Sequence, residues 1–221
     1  TYRYEEDACN RVIYSESHDE VANGKARVPQ EINNDDPTGW HAQKRSTLAA
    51  GLLFTSPGIP MIFQGQEFLQ GEWFRDNVPL DWHMNEEYHG VARMYRDLIH
   101  LRLNRDGVSR GLCGQHVAVT HVNDQQNLIA FQRWDQHGDG DDVMVIANCG
   151  YEVKEGYRIG MPQSGEWKLR FNSDASIYSD DFQNILSTHL TATDEAQDGL
   201  PASAEVTIAP YSVLVYSRDP S

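Results

Sequence analysis

Cysteine is scarce in this 221-residue chain: Cys9, Cys113 and Cys149 stand far apart and none belongs to a CxxC pair. Such spacing argues against a disulfide framework and a cysteine zinc site, and suits the reduced thiols of a cytoplasmic protein. Basic side chains are few as well, with 18 Lys and Arg against 33 Asp and Glu and a net charge of −15. A surface of that sign repels phosphate backbones and anionic headgroups, so neither nucleic acid nor membrane is an expected partner. No apolar run approaches the ~20 residues that a membrane-crossing helix needs. Residues 1–7 carry neither the basic nor the apolar segment of an export signal. GxxxxGK[ST], GxSxG and HExxH are missing, which removes the usual nucleotide, serine-hydrolase and zinc-peptidase signals.

What is present is ordinary for a globular protein: 39% hydrophobic residues, with ten Tyr, seven Phe and five Trp. The acidity is uneven. Residues 1–110 hold 12 basic and 17 acidic side chains, whereas 111–221 hold 6 and 16. A boundary is therefore expected between Gly107 and Gly114, giving units at about 1–108 and 109–221. Before it, the pattern alternates strand, loop and helix in the manner of parallel βα units. One helix is expected from 39 or 40 to 55, with Leu48, Leu52 and Leu53 on one face and Pro57-Gly58-Ile59-Pro60 ending it. A second is expected over 86–104, where Val91, Met94, Tyr95, Leu98 and Leu101 recur at spacings of three and four. Glu86 and Glu87 would then lie in its first turn, and Arg102 and Arg105 at its end, as the helix dipole favours. After the boundary, short strands are expected at 117–122, 128–134, 143–148, 156–159, 167–171, 204–208 and 212–217, separated by turn signals, which suggests an antiparallel sandwich. Residues 178–199 are the least patterned.

The candidate chemistry begins with Val12-Ile13-Tyr14-Ser15-Glu16-Ser17-His18-Asp19-Glu20-Val21. Apolar residues running into a polar pair are how a buried parallel strand delivers side chains to a site at its carboxyl end. An adjacent His and Asp there can grip sugar hydroxyls, or Asp19 can simply cap a helix or turn. Trp73, Phe74 and Trp82 offer flat faces for sugar rings, against a competing role for Trp82 as the core anchor of the helix that follows. Glu67 and Glu72 read as solvated or salt-bridged side chains. Asp139, Asp141 and Asp142 lack the DxDxDG pattern of a calcium loop and read as a solvated hairpin turn. No metal or other cofactor is expected.

His18-Asp19-Glu20-Val21 is followed by Asn23-Gly24-Lys25, by the small-residue helix Ser46-Thr47-Leu48-Ala49-Ala50-Gly51, and by Pro57-Gly58-Ile59-Pro60-Met61-Ile62-Phe63-Gln64-Gly65-Gln66-Glu67. In that order the pieces resemble the fourth conserved region, the seventh helix and the eighth strand of the α-amylase superfamily, glycoside hydrolase family 13. The segment 65–74, with Pro79-Leu80-Asp81-Trp82, is similar to the branching enzymes among its members. Glu16-Ser17 ahead of the His departs from that likeness, because a less acidic residue is expected there. The closing Ala209-Pro210-Tyr211-Ser212-Val213-Leu214-Val215-Tyr216 resembles the last strand of the sandwich that follows the barrel in amylase-type enzymes.

The resemblance implies an α/β plus all-β chain: the carboxyl-terminal fragment of a (β/α)8 TIM barrel, then an antiparallel β-sandwich. It implies that Asp19 is the third catalytic carboxylate and that His18 hydrogen-bonds the sugar at the cleavage point; Trp73 is a candidate sugar contact by its indole face alone. The nucleophile and the acid would come from earlier strands, so the chain would be part of a larger enzyme and inactive alone. The implied partners are an α-1,4-glucan, glycogen or starch-like, and the missing amino-terminal part or a second copy. Branching, amylase-like hydrolysis and a non-catalytic glucan-binding or structural role all remain open.

Overall fold

The computed structural model describes residues 7–138, 140–182 and 185–220. Strand β1 (Val12–Ile13) leads into a one-turn helix α1 (His18–Val21), then α2 (Val28–Ile32) and the long helix α3 (Trp40–Thr55). Strand β2 (Ile59–Pro60) and helices α4 (Trp82–Glu87) and α5 (His89–Arg102) follow. The remaining strands are β3 (His116–Asn123), β4 (Leu128–Trp134), β5 (Val143–Asn148), β6 (Lys154–Met161), β7 (Gly165–Asn172), β8 (Leu190–Ala192), β9 (Ala202–Ile208) and β10 (Ser212–Ser217).

β1 and β2 pair in parallel, Val12 opposite Ile59 and Ile13 opposite Pro60. The Ile59 N–H donates to the Arg11 carbonyl at 2.8 Å and the Met61 N–H to that of Ile13 at 2.9 Å. The strand therefore pairs earlier than its apolar run 61–63 suggests. Gly58 sets the register: at φ 133 it turns the chain hard against Ile13, where a Cβ would meet Ile13 Cγ2 at 2.9 Å. A parallel pair this short does not by itself show a barrel.

α3 begins and ends where its sequence signals place it. It does not, however, carry a single apolar face. Ala42, Lys44, Thr47, Leu48, Ala50, Gly51, Leu53, Phe54 and Thr55 are all buried, so the helix is enclosed on most sides. Small residues make this close fit possible, since a Cβ on Gly51 would lie 2.9 Å from Val213 Cγ2 in β10. The second expected helix is broken in two. Asp81 starts α4 early by accepting the His83 N–H at 3.1 Å, and Tyr88 both closes α4 and opens α5. Glu86 and Glu87 thus end α4 rather than begin α5. The Arg102 guanidinium donates to the carbonyls of Ser56 and Gly58 at 2.8 and 2.6 Å, tying the end of α5 to the turn before β2.

The second half is all-β and antiparallel. Six strands form one sheet in the order β3-β4-β5-β10-β7-β8, and β6 pairs with β9 beside it. Every residue of β5 and β10 is buried because both faces of the sheet are covered. Val143, Val145, Ala147, Val213 and Val215 join Leu48, Phe54, Val91, Met94 and Leu98 in a core beneath α3 and α5. Met144, Ile146, Leu214 and Tyr216 point the other way, toward Ile159, Met161, Val206 and Ile208 of the β6–β9 pair. Strands buried on both faces read as continuous apolar runs, as Val143-Met144-Val145-Ile146-Ala147 does. β8 lies in the stretch that showed the least pattern, with Leu190 and Ala192 buried around an exposed Thr191.

Buried charges join the two halves. The Arg133 guanidinium in β4 donates to the carbonyls of Thr55 at the end of α3, Leu112, Gly114 and His116. Lys44 in α3 pairs with Asp174 at 2.6 Å, and Asp174 also accepts the Ile185 N–H at 2.9 Å. Asp141 is buried rather than solvated, because its carboxylate accepts the N–H groups of Asp135 and Gln136 and braces the β4–β5 turn. Asp139 lies outside the described residues. No helix among the described residues is long and apolar enough to cross a membrane.

Candidate functional site: the rim around α1

Between β1 and α1 the chain crosses Tyr14-Ser15-Glu16-Ser17, and His18 and Asp19 form the first turn of α1. Both side chains face solvent, 61% and 94% exposed, with the His18 Nδ1 3.3 Å from Asp19 Oδ1. They sit on a one-turn helix five residues beyond β1, not on the strand itself. The Asn23-Gly24 turn, with φ 57 and 83, brings Lys25 back so that its Nζ donates to the Asp19 carbonyl at 3.0 Å.

The segment carrying Trp73 lies alongside. The Phe74 N–H donates to the Val21 carbonyl at 2.7 Å, and Ala22 and Phe74 form a parallel bridge. The Phe74 ring meets the His18 ring edge-on at 5.3 Å. His18, Ala22, Asn23, Trp73, Phe74 and Arg75 line one shallow depression, which brings His18 and Trp73 together; Asp19 is not among its lining residues. Trp73 is 39% exposed, with the Arg75 guanidinium 5.1 Å from its ring centre. Trp82, the expected core anchor, is 63% exposed at the start of α4 and only leans on Phe68. The early start of α4 turns it outward.

Beneath the rim is a buried cluster that sequence reasoning missed. Glu16 and Arg27 are each 1% exposed and pair at 3.1 Å. Glu16 also accepts the Val28 N–H at 2.8 Å, while Arg27 donates to the carbonyls of Gln64 at 3.0 Å and Glu72 at 3.2 Å. Burial pushes the Glu16 carboxyl above its ordinary value and the Arg27 guanidinium below its own, with their mutual attraction opposing both shifts. Glu67 is half-buried, and its Oε2 has no hydrogen-bond partner among the described residues, contrary to the solvated or paired role expected of it. Glu72 behaves as expected, pairing with Arg75 at 2.7 Å. The Tyr95 phenol on α5 is pushed far up, chiefly by burial and then by the nearby charges of Glu16 and Glu67. The visible signal was Glu16 itself, an acid set at the end of an apolar run, which calls for a cation such as Arg27.

Among the described residues no group of three or more His, Cys, Asp or Glu could hold a metal ion. What the rim offers is an exposed carboxylate, an imidazole and an indole, groups able to hydrogen-bond hydroxyls and to stack on an apolar ring face.

The chain is similar to proteins of the α-amylase type. Residues 119–219 match the family Alpha amylase, C-terminal all-beta domain. A crystal structure of alpha-amylase from H.orenii superposes with a TM-score of 0.58 over 94% of this chain and 40% of that one, at 20% identity, a likeness of fold alone. A putative alpha amylase from Salmonella typhimurium gives 0.58 over 96% and 36%, at 16% identity. Within the superfamily the chain is similar to the carboxyl-terminal part of branching enzymes. It is 34% identical over 210 residues to the 1,4-alpha-glucan branching enzyme GlgB of Shewanella sp. (strain W3-18-1), covering 92% of this chain and 27% of that enzyme. To GlgB of Pseudomonas putida it is 32% identical over 229 residues, 97% of this chain and 30% of the enzyme. The chain thus spans less than a third of the length of these relatives.

Proposed function

We propose that this chain is the carboxyl-terminal portion of a 1,4-α-glucan branching enzyme, in which β1 and β2 are the last two strands of a (β/α)8 barrel and α3 and α5 cover them. Residues 1–108 would belong to that barrel and 109–221 to the sandwich that supports it. Asp19 would be the carboxylate that orients substrate and stabilises the oxocarbenium-like transition state, His18 a donor to sugar hydroxyls, and Trp73 a stacking surface. The observation that supports this reading is one depression lined by His18 and Trp73, with Asp19 3.3 Å from His18, in a chain similar to branching enzymes.

Retaining glycoside chemistry needs a nucleophile and an acid/base carboxylate ~5 Å apart. Both would come from barrel strands preceding this segment, which would also cover the open side of β1 and β2, where Val12 and Ile59 are each 49% exposed. Ile62 and Phe63, further along the same run, are partly buried, Ile62 against the main core and Phe63 under Arg27. Three free thiols accord with a cytoplasmic setting.

Incubation with amylose separates the alternatives. The longer enzyme should shift iodine absorbance without generating reducing ends, whereas hydrolysis would generate them. The 221-residue chain alone should do neither.

A further inference from the structure

The buried Glu16–Arg27 pair connects four segments that the chain brings together only at the rim. Glu16 comes from the β1–α1 loop, Arg27 and Val28 from the start of α2, Gln64 from the run after β2, and Glu72 from the loop that presents Trp73. Arg27 acts by two routes. Its Nε–H holds the Glu72 carbonyl, one residue before Trp73, where Glu72 adopts φ 60, a conformation that a non-glycine side chain keeps only when held. Its guanidinium lies 5.2 Å from the centre of the Phe63 ring, Phe63 meets Phe74 at 5.4 Å, and Phe74 meets His18 at 5.3 Å.

We propose that Arg27, oriented by Glu16, is a positioning residue that sets His18 and Trp73 at the spacing a glucan requires, without touching the glucan itself. The inference rests on reading His18, Asp19 and Trp73 as a glucan-binding rim. It also accounts for the acid ahead of His18. One carboxylate oxygen of Glu16 accepts from the Arg27 guanidinium and the other from the Val28 N–H, which ties the guanidinium to the start of α2.

Arg27→Met alone would strand a buried carboxylate, so the informative variant is Glu16→Gln with Arg27→Met, which removes both charges while leaving an oxygen for the Val28 N–H. In the 221-residue chain this double variant should still fold, at a thermal midpoint lowered modestly because the Gln64 and Glu72 carbonyls lose their donor. The ring resonances of His18 and the indole resonance of Trp73 should nonetheless move. In the longer enzyme it should lower kcat on amylose by about 10- to 100-fold, the scale of a misplaced contact. Resonances that stay in place, or a kcat equal to that of the wild type, would overturn the proposal. Should the double variant not fold, Arg27→Lys keeps the charge without the fork and is judged by the same criteria. Asp19→Asn is assayed in parallel. Full activity of Asp19→Asn would refute the rim assignment, whereas its loss beside a fully active double variant would refute the role of Arg27 alone.

Discussion

At the scale of the residue, this molecule relies on buried charges with defined partners. Lys44 and Asp174 are 0% and 1% exposed and meet at 2.6 Å, with the Lys44 ammonium also 4.8 Å from the Phe182 ring centre. Removing one member leaves a lone charge in the core. Lys44→Met should therefore cost about 3–5 kcal/mol in urea unfolding, and adding Asp174→Asn should recover part of that loss. A milder case lies at the surface. Hydrogen bonds from Arg170 and Lys168 hold the exposed Asp219 carboxyl down at about 2. A carboxyl depressed in the folded state contributes stability that is present above its unfolded value of 3.8 and lost as pH falls toward 2. Carboxyl carbon shifts should show Asp219 titrating well below the ordinary range, and added salt should bring it back up.

At the scale of the element, two helical glycines give opposite weights to the same substitution. Alanine in place of helical glycine gains up to ~1 kcal/mol of intrinsic propensity. At Gly51 the new Cβ meets the side chain of Val213 at 2.9 Å, which can shift slightly, whereas at Gly90 it meets the backbone carbonyl oxygen of Tyr178 at 2.2 Å. Gly90→Ala should therefore lower the thermal midpoint more than Gly51→Ala, as thermal unfolding of the two variants would show. These contacts also show what was legible beforehand. The ends of α3 and the bounds of β4, β5 and β10 were readable because turn residues and apolar runs fix them locally. The break at Tyr88 and the strand β8 were not, because the first depends on the Asp81 cap and the second on Asp174 and Tyr178 anchoring an otherwise polar stretch. At the rim, His18, Asp19 and Trp73 stood out by residue type and motif. Arg27 did not, since only the fold brings it to Glu16, Gln64 and Glu72.

At the scale of the whole molecule, the central strands β5 and β10 of the six-stranded sheet are covered on both faces while β1 and β2 are not. Val12, Tyr14 and Ile59 are about half exposed, and among the described residues β1 and β2 pair only with each other. An open strand edge invites pairing with another chain. Purified alone, the 221-residue chain should associate in a concentration-dependent manner by sedimentation, and Val12→Lys should suppress this without lowering the thermal midpoint. A chain that remains monomeric at all concentrations would mean that the edge needs no cover.

In the proposed function, Asp19 belongs to a glucan-processing active site that this chain completes. Asp19 is 94% exposed and among the described residues its carboxylate pairs only with its neighbour His18, so Asp19→Asn should leave folding nearly unchanged. Preorganised charge at a transition state is commonly worth ~3 kcal/mol or more, a loss of about two orders of magnitude or greater in turnover. The most direct measurement is therefore turnover of amylose by the longer enzyme carrying Asp19→Asn, followed by iodine absorbance and reducing ends, with the thermal midpoint checked on the same sample. Near-complete loss of turnover at an unchanged midpoint is the predicted result; turnover equal to that of the wild type would contradict the assignment.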